Sequence, residues 1–297
     1  MLVGVQLPHN EIEVDAGALR ELAQGVQDLG FHHVQLVDHV VGADPVTYAD
    51  RSYLPYDADS VVHEPLTLFG FLAACAPELH LFSAVLVLPQ RQTALVAKQM
   101  AEIDLLTNGK LRMGVGVGWN DVEYEALGMN FRTRGRRIEE QVGLLRQLWT
   151  EPVVTFDGEF DRMRAVSVNP PPVQRPIPIW FGGSVERARR RAAVLGDGLV
   201  MQLPLPDLPL ESAWPETMDE MRRWRREAGV PGEVGFEARL TLDLARSPDE
   251  WVTTAAQWQG LGASHIGVRT TRLGIEGVEA HLARLALASE ALADFLT

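Results

Sequence analysis

The chain has 297 residues, of which 46% are hydrophobic and 23% are charged, and its formal net charge is -13. This balance is typical of a globular protein with a sizeable core and excludes a disordered or fibrous chain. The negative charge argues against nucleic acid or an anionic membrane surface as a partner. The single cysteine, Cys75, excludes an intramolecular disulfide and any metal site built from several thiolates.

The first residues lack the basic region and the long apolar stretch of a signal peptide. No stretch reaches the run of about 18 apolar residues that a membrane-spanning helix needs. We therefore expect a cytoplasmic protein with no membrane partner.

The first predicted unit consists of a strand, a helix and a second strand. Val3–Leu7 is a short apolar run that predicts a buried parallel strand. Asp15 then caps a segment with helical apolar spacing, and Gly30 is a natural end for that helix. The run Val34–Val37 follows as the second strand.

The same alternation continues to the end of the chain. The further predicted strands are Leu79–Leu88, Leu111–Val117, Ile177–Phe181, Leu199–Gln202, Val234–Leu242 and His265–Arg269. The further predicted helices are Pro65–Ala76, Thr93–Leu106, Arg134–Trp149, Val185–Leu195, Pro215–Ala228, Pro248–Gln259 and Val278–Phe295. Eight strands, each followed by a helix, predict an α/β fold of the (β/α)8 TIM-barrel type that forms one domain over residues 1–297. An open, doubly wound sheet is the alternative.

Insertions are predicted after strands 2, 4 and 6. The first, Val40–His63, carries Tyr48, Tyr53 and Tyr56. The second, Glu151–Pro176, contains a hairpin that turns at Asp157-Gly158. The first insertion and the third, Leu203–Pro215, leave the ends of strands where barrel active sites form, so they are interpreted as walls or lids of a substrate pocket. Plain surface loops are the alternative.

The turn after the fifth strand, Gly182-Gly183-Ser184, is the best local motif. The glycines let a ligand approach the backbone closely, and the helix that follows presents free amides to an anion. Arg187 and the arginines at positions 189–191 oppose the helix dipole unless an anion is bound. We favour a phosphate site here over a turn with a solvated arginine face.

Glycines occupy alternate positions along the end of the fourth strand, at Gly114, Gly116 and Gly118. The spacing does not match a dinucleotide fingerprint, because Trp119 stands where the third glycine belongs. Alternate glycines clear space on one face of a strand, which suits a flat ring lying against Gly116, with Asn120 at the border of that ring.

His39 is the only histidine at the predicted end of a strand that has a neighbouring carboxylate, Asp38. An imidazole at a barrel mouth can act as a general base or as a hydrogen-bond donor to a cofactor. A polar structural histidine is the alternative. No motif with metal-ligand spacing occurs, so we expect no metal and a cofactor that carries the reaction.

The order of these motifs resembles the luciferase-like monooxygenase family, in particular its branch that depends on flavin or on the deazaflavin coenzyme F420. The resemblance covers residues 1 to about 202. The matching segments are Val37-Asp-His39, Val85-Leu-Val-Leu-Pro89, Ala97-Lys-Gln99 with Asp104, Asn108-Gly-Lys-Leu111, Gly114–Asn120, Glu123-Tyr124, Arg134–Arg137, Phe156–Glu159, Pro178–Ser184 and Leu195–Gly198.

The resemblance implies a TIM barrel that binds FMN or coenzyme F420 over its central strands, and a homodimer. It also implies a non-prolyl cis peptide within Ser83-Ala84-Val85, behind the ring. Together with the motifs above, the predicted cofactor contacts are Asp38, Ser83, Ala84, Val85, Gly116, Asn120, Gly182, Gly183, Ser184 and Arg187. The resemblance implies that His39 is a catalytic or cofactor-contacting histidine, and we predict it as the catalytic residue.

One position departs from the sugar-phosphate dehydrogenases of this family, because Val117 stands where they carry a catalytic glutamate. We favour F420 over FMN, since the arginines after Ser184 suit the carboxylates of the F420 tail. The leading hypothesis is hydride transfer between F420 and a small organic substrate. The alternatives are a monooxygenase that uses reduced FMN and a non-catalytic flavin-binding barrel.

Overall fold

The structure is a computed structural model that describes residues 1–51, 56–201 and 210–296. Tyr53 of the first predicted insertion, Gln202 at the predicted end of the sixth strand and most of the insertion Leu203–Pro215 lie outside these ranges. None of the helices in these ranges has the length and the apolar composition that a membrane span requires.

Strands and helices alternate along most of the chain. The strands are β1 (Leu2–Gln6), β2 (His33–Leu36), β3 (His80–Ser83), β4 (Leu86–Val87), β5 (Leu111–Gly116), β6 (Val154–Asp157), β7 (Arg162–Val166), β8 (Ile179–Gly182), β9 (Gly198–Val200), β10 (Gly235–Thr241) and β11 (His265–Arg269). The helices are α1 (Ala16–Asp28), α2 (Pro65–Cys75), α3 (Thr93–Leu106), α4 (Asp121–Ala126), α5 (Arg134–Thr150), α6 (Glu186–Leu195), α7 (Leu210–Glu227), α8 (Pro248–Gly260), α9 (Val278–Ala291) and α10 (Ala293–Leu296).

The parallel strands close into a barrel. Around the ring the order is β1, β2, β3, β5, β8, β9, β10 and β11, and the β1–β11 and β3–β5 pairings complete the circle. The short strand β4 continues β3 and also pairs with β5. This closed sheet confirms the predicted (β/α)8 barrel and rules out the open, doubly wound alternative, because an open sheet would leave two edges unpaired.

The first helix illustrates why the outer layer forms as the sequence predicts. The Asp15 side chain accepts the amides of Gly17 and Ala18 at the start of α1. The buried residues of α1, which include Leu22 and Val26, recur at helical spacing and face the sheet. The same logic places one hydrophobic core between the helices and the outer face of the barrel.

The predicted strand Leu79–Leu88 is interrupted, and the interruption is the main difference between the predicted and observed elements. Between β3 and β4 the peptide bond joining Ala84 and Val85 is cis, which confirms the non-prolyl cis peptide implied by the family resemblance and assigns it to one bond.

The hairpin β6–β7 turns at the predicted Asp157-Gly158. The short helix α4, which begins directly after Asn120, was not predicted.

Inside the barrel, glycines stand opposite large side chains. A Cβ atom on Gly4 would overlap the ring of His33, and one on Gly267 would overlap the side-chain amide of Gln35. Because residues two apart on a strand share a face, this contact identifies Gly267 and the residues that alternate with it on β11 as inward-facing. The interior is therefore filled by side chains, as in barrels of this size.

Candidate active site at the barrel mouth

The carboxyl ends of β5 and β8 meet on the inner face of the barrel. Gly114 pairs with Trp180 and Val115 with Phe181 across these strands, and one further step along both strands puts Gly116 beside Gly182. Neighbouring strands are about 4.8 Å apart, so the two glycines lie close together on one face. The structure therefore brings together two of the predicted cofactor contacts.

The glycine row of β5 does not leave bare backbone, and here the structure corrects the sequence interpretation. A Cβ atom on Gly114 would overlap the carbonyl oxygen of Ser83, and one on Gly116 would lie 2.6 Å from Cγ2 of Val85. Because these glycines have no side chains, they leave room for the bulge, which is the segment Ser83–Val85 between β3 and β4. A ring placed above this point would meet the half-buried side chain of Val85 before it met Gly116.

The bulge is held at its base by Ser83 and Ala84. The Ser83 hydroxyl donates to the carbonyl oxygen of Gly114 at 2.9 Å and accepts the amide of Gly114 at 3.0 Å, while the amide of Ala84 donates to the carbonyl oxygen of Leu36 at 2.7 Å. Ser83 and Ala84 are buried. Of the three predicted residues of this segment, only Val85 is partly open to the mouth, and the other two position it.

His39 lies in an aromatic cluster with Tyr56 and Trp119. The ring centroids of His39 and Tyr56 are 3.9 Å apart, and Trp119 lies 5.6 Å from His39 and 5.4 Å from Tyr56. Trp119 is 39% exposed, and the His39 side chain is 20% exposed. The cluster forms an apolar wall at the mouth with an accessible imidazole in it.

A buried carboxylate lies behind this wall. Oε2 of Glu123 is 3.6 Å from Nδ1 of His39 and accepts a hydrogen bond from the Gln90 side chain at 3.0 Å, while Oε1 accepts the amides of Val40 and Val41. Burial opposes the ionisation of Glu123, but the approach of His39 and the hydrogen bonds from Val40 and Gln90 outweigh it and lower the pKa of this carboxyl. Glu123 is thus an ionised partner for one ring nitrogen of His39.

Asn120 organises the cluster and has little surface to offer a ligand, since it is 2% exposed. Its side-chain oxygen caps α4 by accepting the amides of Val122 and Glu123. Its side-chain nitrogen donates to the Tyr56 hydroxyl at 2.7 Å. Asn120 therefore fixes both the tyrosine ring and the start of the helix that carries Glu123.

Asp38 is buried and its carboxylate is engaged by the protein. Oδ1 accepts a hydrogen bond from Arg91 at 2.7 Å, and Oδ2 accepts the amide of Val87 at 2.8 Å. Arg91 also pairs with Glu64 at 2.9 Å. Asp38 therefore ties the end of β2 to β4, and it would influence a ligand at the mouth only by positioning His39 and the bulge.

The turn Gly182-Gly183-Ser184 leads into α6 with free amides. Gly183 has a φ of 133°, a conformation that side chains rarely adopt, and a Cβ atom there would lie 2.9 Å from Cβ of Ala188. Val185 caps α6 without a side-chain hydrogen bond. In the described ranges the amides of Ser184, Val185 and Glu186 have no acceptor, so the turn retains the donors that an anion needs.

Most arginines of α6 contact side chains of the neighbouring helices α5 and α7. This corrects the expectation that they form one cluster at the start of α6. Arg189 donates to the Ser184 carbonyl oxygen at 2.8 Å and pairs with Glu220, and Arg191 pairs with Glu139 at 2.8 Å. Arg190 lies over the ring of Trp224. Arg187, in the first turn, is exposed and borders a cleft of about 600 Å³ between α5, α6 and α7.

The floor below the mouth is a buried ionic network that sequence inspection missed. Glu237 is fully buried and accepts hydrogen bonds from His33 and Gln35, and its other oxygen lies 2.8 Å from Nη2 of Arg112. The Arg112 guanidinium is stacked between Phe82 and Trp180, with its Cζ 4.1 and 4.5 Å from the two ring centroids. Burial alone would raise the pKa of Glu237, but Arg112 and His33 outweigh it and lower that pKa to about 2.

His9 lies just beyond the end of β1, and its burial is expected to make the stability of the fold sensitive to acid. It is 1% exposed, and burial lowers its pKa from 6.5 to about 4. Its neutral ring therefore contributes stability above pH 6.5 that is lost as the pH falls towards 4. We expect replacement of His9 by Asn to remove up to about 1.4 kcal/mol per pH unit from the slope of the unfolding free energy in that window. Denaturant titrations between pH 4 and 8 measure it, and an unchanged slope would contradict the assignment.

The arrangement fits a planar ring with an anionic tail. Val85 offers an apolar surface, the amides after Gly183 offer donors for a phosphate, and His39 offers a titratable group at the rim of the same mouth. Among the described residues no group of three or more histidine, cysteine or acidic side chains could hold a metal ion.

Comparisons with known proteins identify the family and the fold. Residues 2–294 match the family model described as luciferase-like monooxygenase. An FMNH(2)-dependent dimethylsulfone monooxygenase from Pseudomonas putida is 37% identical over 146 residues, which is 48% of this chain and 40% of that protein. The match thus spans less than half of that relative.

Two solved structures share the fold over their whole length. A monooxygenase, RslO1, from Streptomyces bottropensis is 19% identical with a TM-score of 0.78, and each chain is covered to 100%. The coenzyme F420-dependent tetrahydromethanopterin reductase from Methanopyrus kandleri is 12% identical with a TM-score of 0.75, covering 100% of this chain and 99% of that one. With the family model matched over nearly every residue, the chain belongs to the luciferase-like monooxygenase family, whose members are oxidoreductases and monooxygenases.

Proposed function

We propose that the chain is an oxidoreductase that binds coenzyme F420 at the barrel mouth and transfers hydride between it and a small organic substrate. The observation that carries the proposal is the placement of Val85 and the free amides after Gly183 around the paired ends of β5 and β8. An apolar platform next to a set of amide donors suits a ring with a phosphate tail.

Each end of the cofactor has a proposed set of contacts. The turn Gly182-Gly183-Ser184 would hold the phosphate through the backbone amides of Ser184, Val185 and Glu186 and through the serine hydroxyl. The longer acidic tail would pass the exposed Arg187. The ring would lie against Val85, whose side chain occupies the space that the absent side chain of Gly116 leaves open. Ser83, Ala84, Asp38 and Asn120 would act by holding this platform and the His39 wall in position.

When bound, F420 supplies a carbon centre that accepts or donates hydride, and the protein supplies the proton chemistry. His39 is the residue at the mouth with an exposed imidazole edge and an ionised carboxylate, Glu123, behind it. Such a carboxylate orients the ring for proton exchange at its exposed edge. We propose that His39 exchanges a proton with the substrate oxygen or nitrogen while hydride is transferred.

A monooxygenase that uses reduced FMN is the second candidate. The observation in its favour is the activity of the Pseudomonas putida relative, a dimethylsulfone monooxygenase that depends on FMNH(2). The same platform and phosphate turn would accept FMN, so this alternative concerns the identity of the ring rather than its location. A homodimer and a cytoplasmic location also remain predictions, and sedimentation of the purified protein tests the first of them.

Cofactor titration separates the candidates. The purified protein would be mixed in turn with oxidised F420, FMN and FAD while the ring fluorescence is followed. Tight binding of F420 with weak binding of FMN supports the proposal, and a preference for FMN supports the monooxygenase. Binding without turnover over a broad substrate panel would favour a non-catalytic flavin-binding barrel.

Replacement of His39 by Ala is expected to lower kcat by about 10²–10⁴-fold while cofactor affinity changes by less than about threefold, because a positioned acid or base contributes that much to a proton-transfer step. Turnover of F420 by single-wavelength absorbance measures kcat, and the fluorescence titration measures affinity. His80→Ala is the matched control, since this exposed histidine begins β3 at the opposite end of the barrel. Equal rates for His39→Ala and the control would remove His39 from the mechanism.

A further inference from the structure

Exposed apolar side chains surround the His39 imidazole at the rim of the mouth. Trp119, Val40 and Val41 are all exposed, although each is a large hydrophobic residue. The two valines follow the histidine directly, and their amides donate to Glu123, which keeps this segment next to the aromatic cluster. Single exposed apolar residues are common on protein surfaces, but a group of them beside a reactive side chain is typical of a ligand-binding surface.

Trp119 is held in a fixed orientation although part of its indole is open to solvent. Gly118 precedes it with a φ of 65°, and a Cβ atom on this glycine would lie 2.6 Å from Cγ1 of Val87. The helix α4 begins two residues after the tryptophan. The rings of His39 and Tyr56 contact the indole at interplanar angles of 62° and 67°. An aromatic side chain that is fixed in advance loses little conformational entropy when a ligand binds to it.

The two carboxylates beside His39 are closed to a ligand. Asp38 and Glu123 are both buried, and their oxygens accept hydrogen bonds from the protein. Their negative charges lie behind the wall and oppose the approach of an anion, while their burial denies a cation any direct contact. The wall therefore offers a ligand the open part of the indole and the two valines, with the imidazole edge as a hydrogen-bonding group.

We propose that the substrate is an uncharged compound with an aromatic or conjugated ring, which stacks on Trp119 and turns a carbonyl or hydroxyl oxygen towards His39. The inference rests on the proposed function, because it names the class of substrate on which His39 would act. The ring centroids of the two residues are 5.6 Å apart, so an oxygen attached to a ring on the indole comes within hydrogen-bond reach of the imidazole. Offset stacking favours a planar partner, which makes Trp119 a specificity-determining residue.

Ligand-observed NMR titrations with three ketones test this assignment, on the protein alone and after addition of F420 or FMN. The probes are acetophenone, cyclohexyl methyl ketone, which has a saturated ring of similar size, and 4-acetylbenzoate, which carries a negative charge. We expect acetophenone to bind about tenfold more tightly than either of the other two, because only it combines a stacking ring with no charge. Equal or tighter binding of the saturated ketone or of the carboxylate would overturn the inference.

Three variants of Trp119 and one matched control test the contact itself. Trp119→Ala and Trp119→Leu should each weaken acetophenone binding about tenfold, because leucine keeps apolar bulk but cannot stack. Trp119→Phe keeps a stacking ring and should stay within about threefold of the wild type, which separates a lost ring from a damaged fold. Leu106→Ala removes an exposed leucine at the end of α3 and should leave binding unchanged. Unchanged binding by Trp119→Ala, or an equal loss in the phenylalanine variant, would contradict the assignment.

Cofactor titration of the same proteins distinguishes this inference from the proposed function. A protein that binds F420 or FMN but shows no preference for acetophenone would retain the proposed function and overturn the inference. A preference for acetophenone that depends on Trp119, in a protein that binds neither cofactor, would support the aromatic site while the proposed function fails.

Discussion

Replacement of Glu237 by Gln is expected to lower the free energy of unfolding by about 3–5 kcal/mol. Glu237 is fully buried between His33, Gln35 and Arg112. The substitution preserves shape but leaves the Arg112 guanidinium inside the barrel without its counter-charge. Breaking a buried pair from one side costs more than the pair contributes when intact, because the remaining charge has no water to solvate it.

Chemical denaturation at pH 7 measures this effect. Asp157→Asn is the matched control, because Asp157 forms an exposed ion pair with Arg162 at 2.9 Å on the hairpin, where such pairs contribute about 0–1 kcal/mol. The two variants should differ by several kcal/mol. Similar values for both would show that the network does not support the barrel floor.

The Glu237 contribution should also depend on pH. The folded-state pKa of about 2 lies below the ordinary value of 4.5, so the stabilisation is complete above pH 4.5 and is lost as the pH falls towards 2. The difference between the wild type and Glu237→Gln should therefore shrink in that window.

Replacement of Gly114 by Ala is expected to weaken cofactor binding at least tenfold and to destabilise the fold by about 1–3 kcal/mol. A Cβ atom at this position would overlap the carbonyl oxygen of Ser83, which is backbone and cannot rotate away. The bulge that carries Val85 would have to move, and with it the proposed platform for the ring.

Gly143→Ala is the matched control for this substitution. Gly143 lies in the exposed face of α5 with nothing within 4 Å of its Cβ position, so alanine there should stabilise the helix by about 0.5–1 kcal/mol. Fluorescence titration and chemical denaturation of both variants measure the two effects. A Gly114→Ala protein that binds the cofactor as tightly as Gly143→Ala does would show that the bulge is not part of the cofactor site.

The barrel was predictable because its strands are buried on both faces and its helices on one. Runs such as Val3–Leu7 and the helical spacing after Asp15 carry that pattern locally, and eight repeats of it define the closed sheet. The cis bond followed only from the family resemblance. The split of Leu79–Leu88 could not be predicted from periodicity, since apolar residues continue through the bulge and nothing in their order marks the Ala84–Val85 bond.

The glycine row shows a limit of reasoning from one strand. Alternate glycines on β5 correctly indicated a close approach, but the approaching group is the neighbouring bulge and not a ligand. The identity of that group depends on which strand lies next to β5, and this is long-range information. The same limit applies to Arg189 and Arg191, whose partners Glu220 and Glu139 come from helices far away in the chain.

The contacts that Glu123 and Tyr56 make with His39 were not predicted, for different reasons. Glu123 stands three residues after Asn120, a spacing typical of a helix start, which could have predicted α4 and the burial of this carboxylate. Tyr56 was predicted as part of an insertion that forms a wall or lid of the substrate pocket, without a partner. Its stacking on His39 depends on how the loop folds back, and no local pattern encodes that contact.

A crystal structure of the protein grown with F420 or FMN tests whether the cofactor binds at the barrel mouth. We predict ring density against Val85, with the phosphate at the amides of Ser184 and Val185 and the His39 ring at the edge of the cofactor ring. Density for the cofactor in the outer cleft beside Arg187 and Trp224, with an empty mouth, would contradict the account.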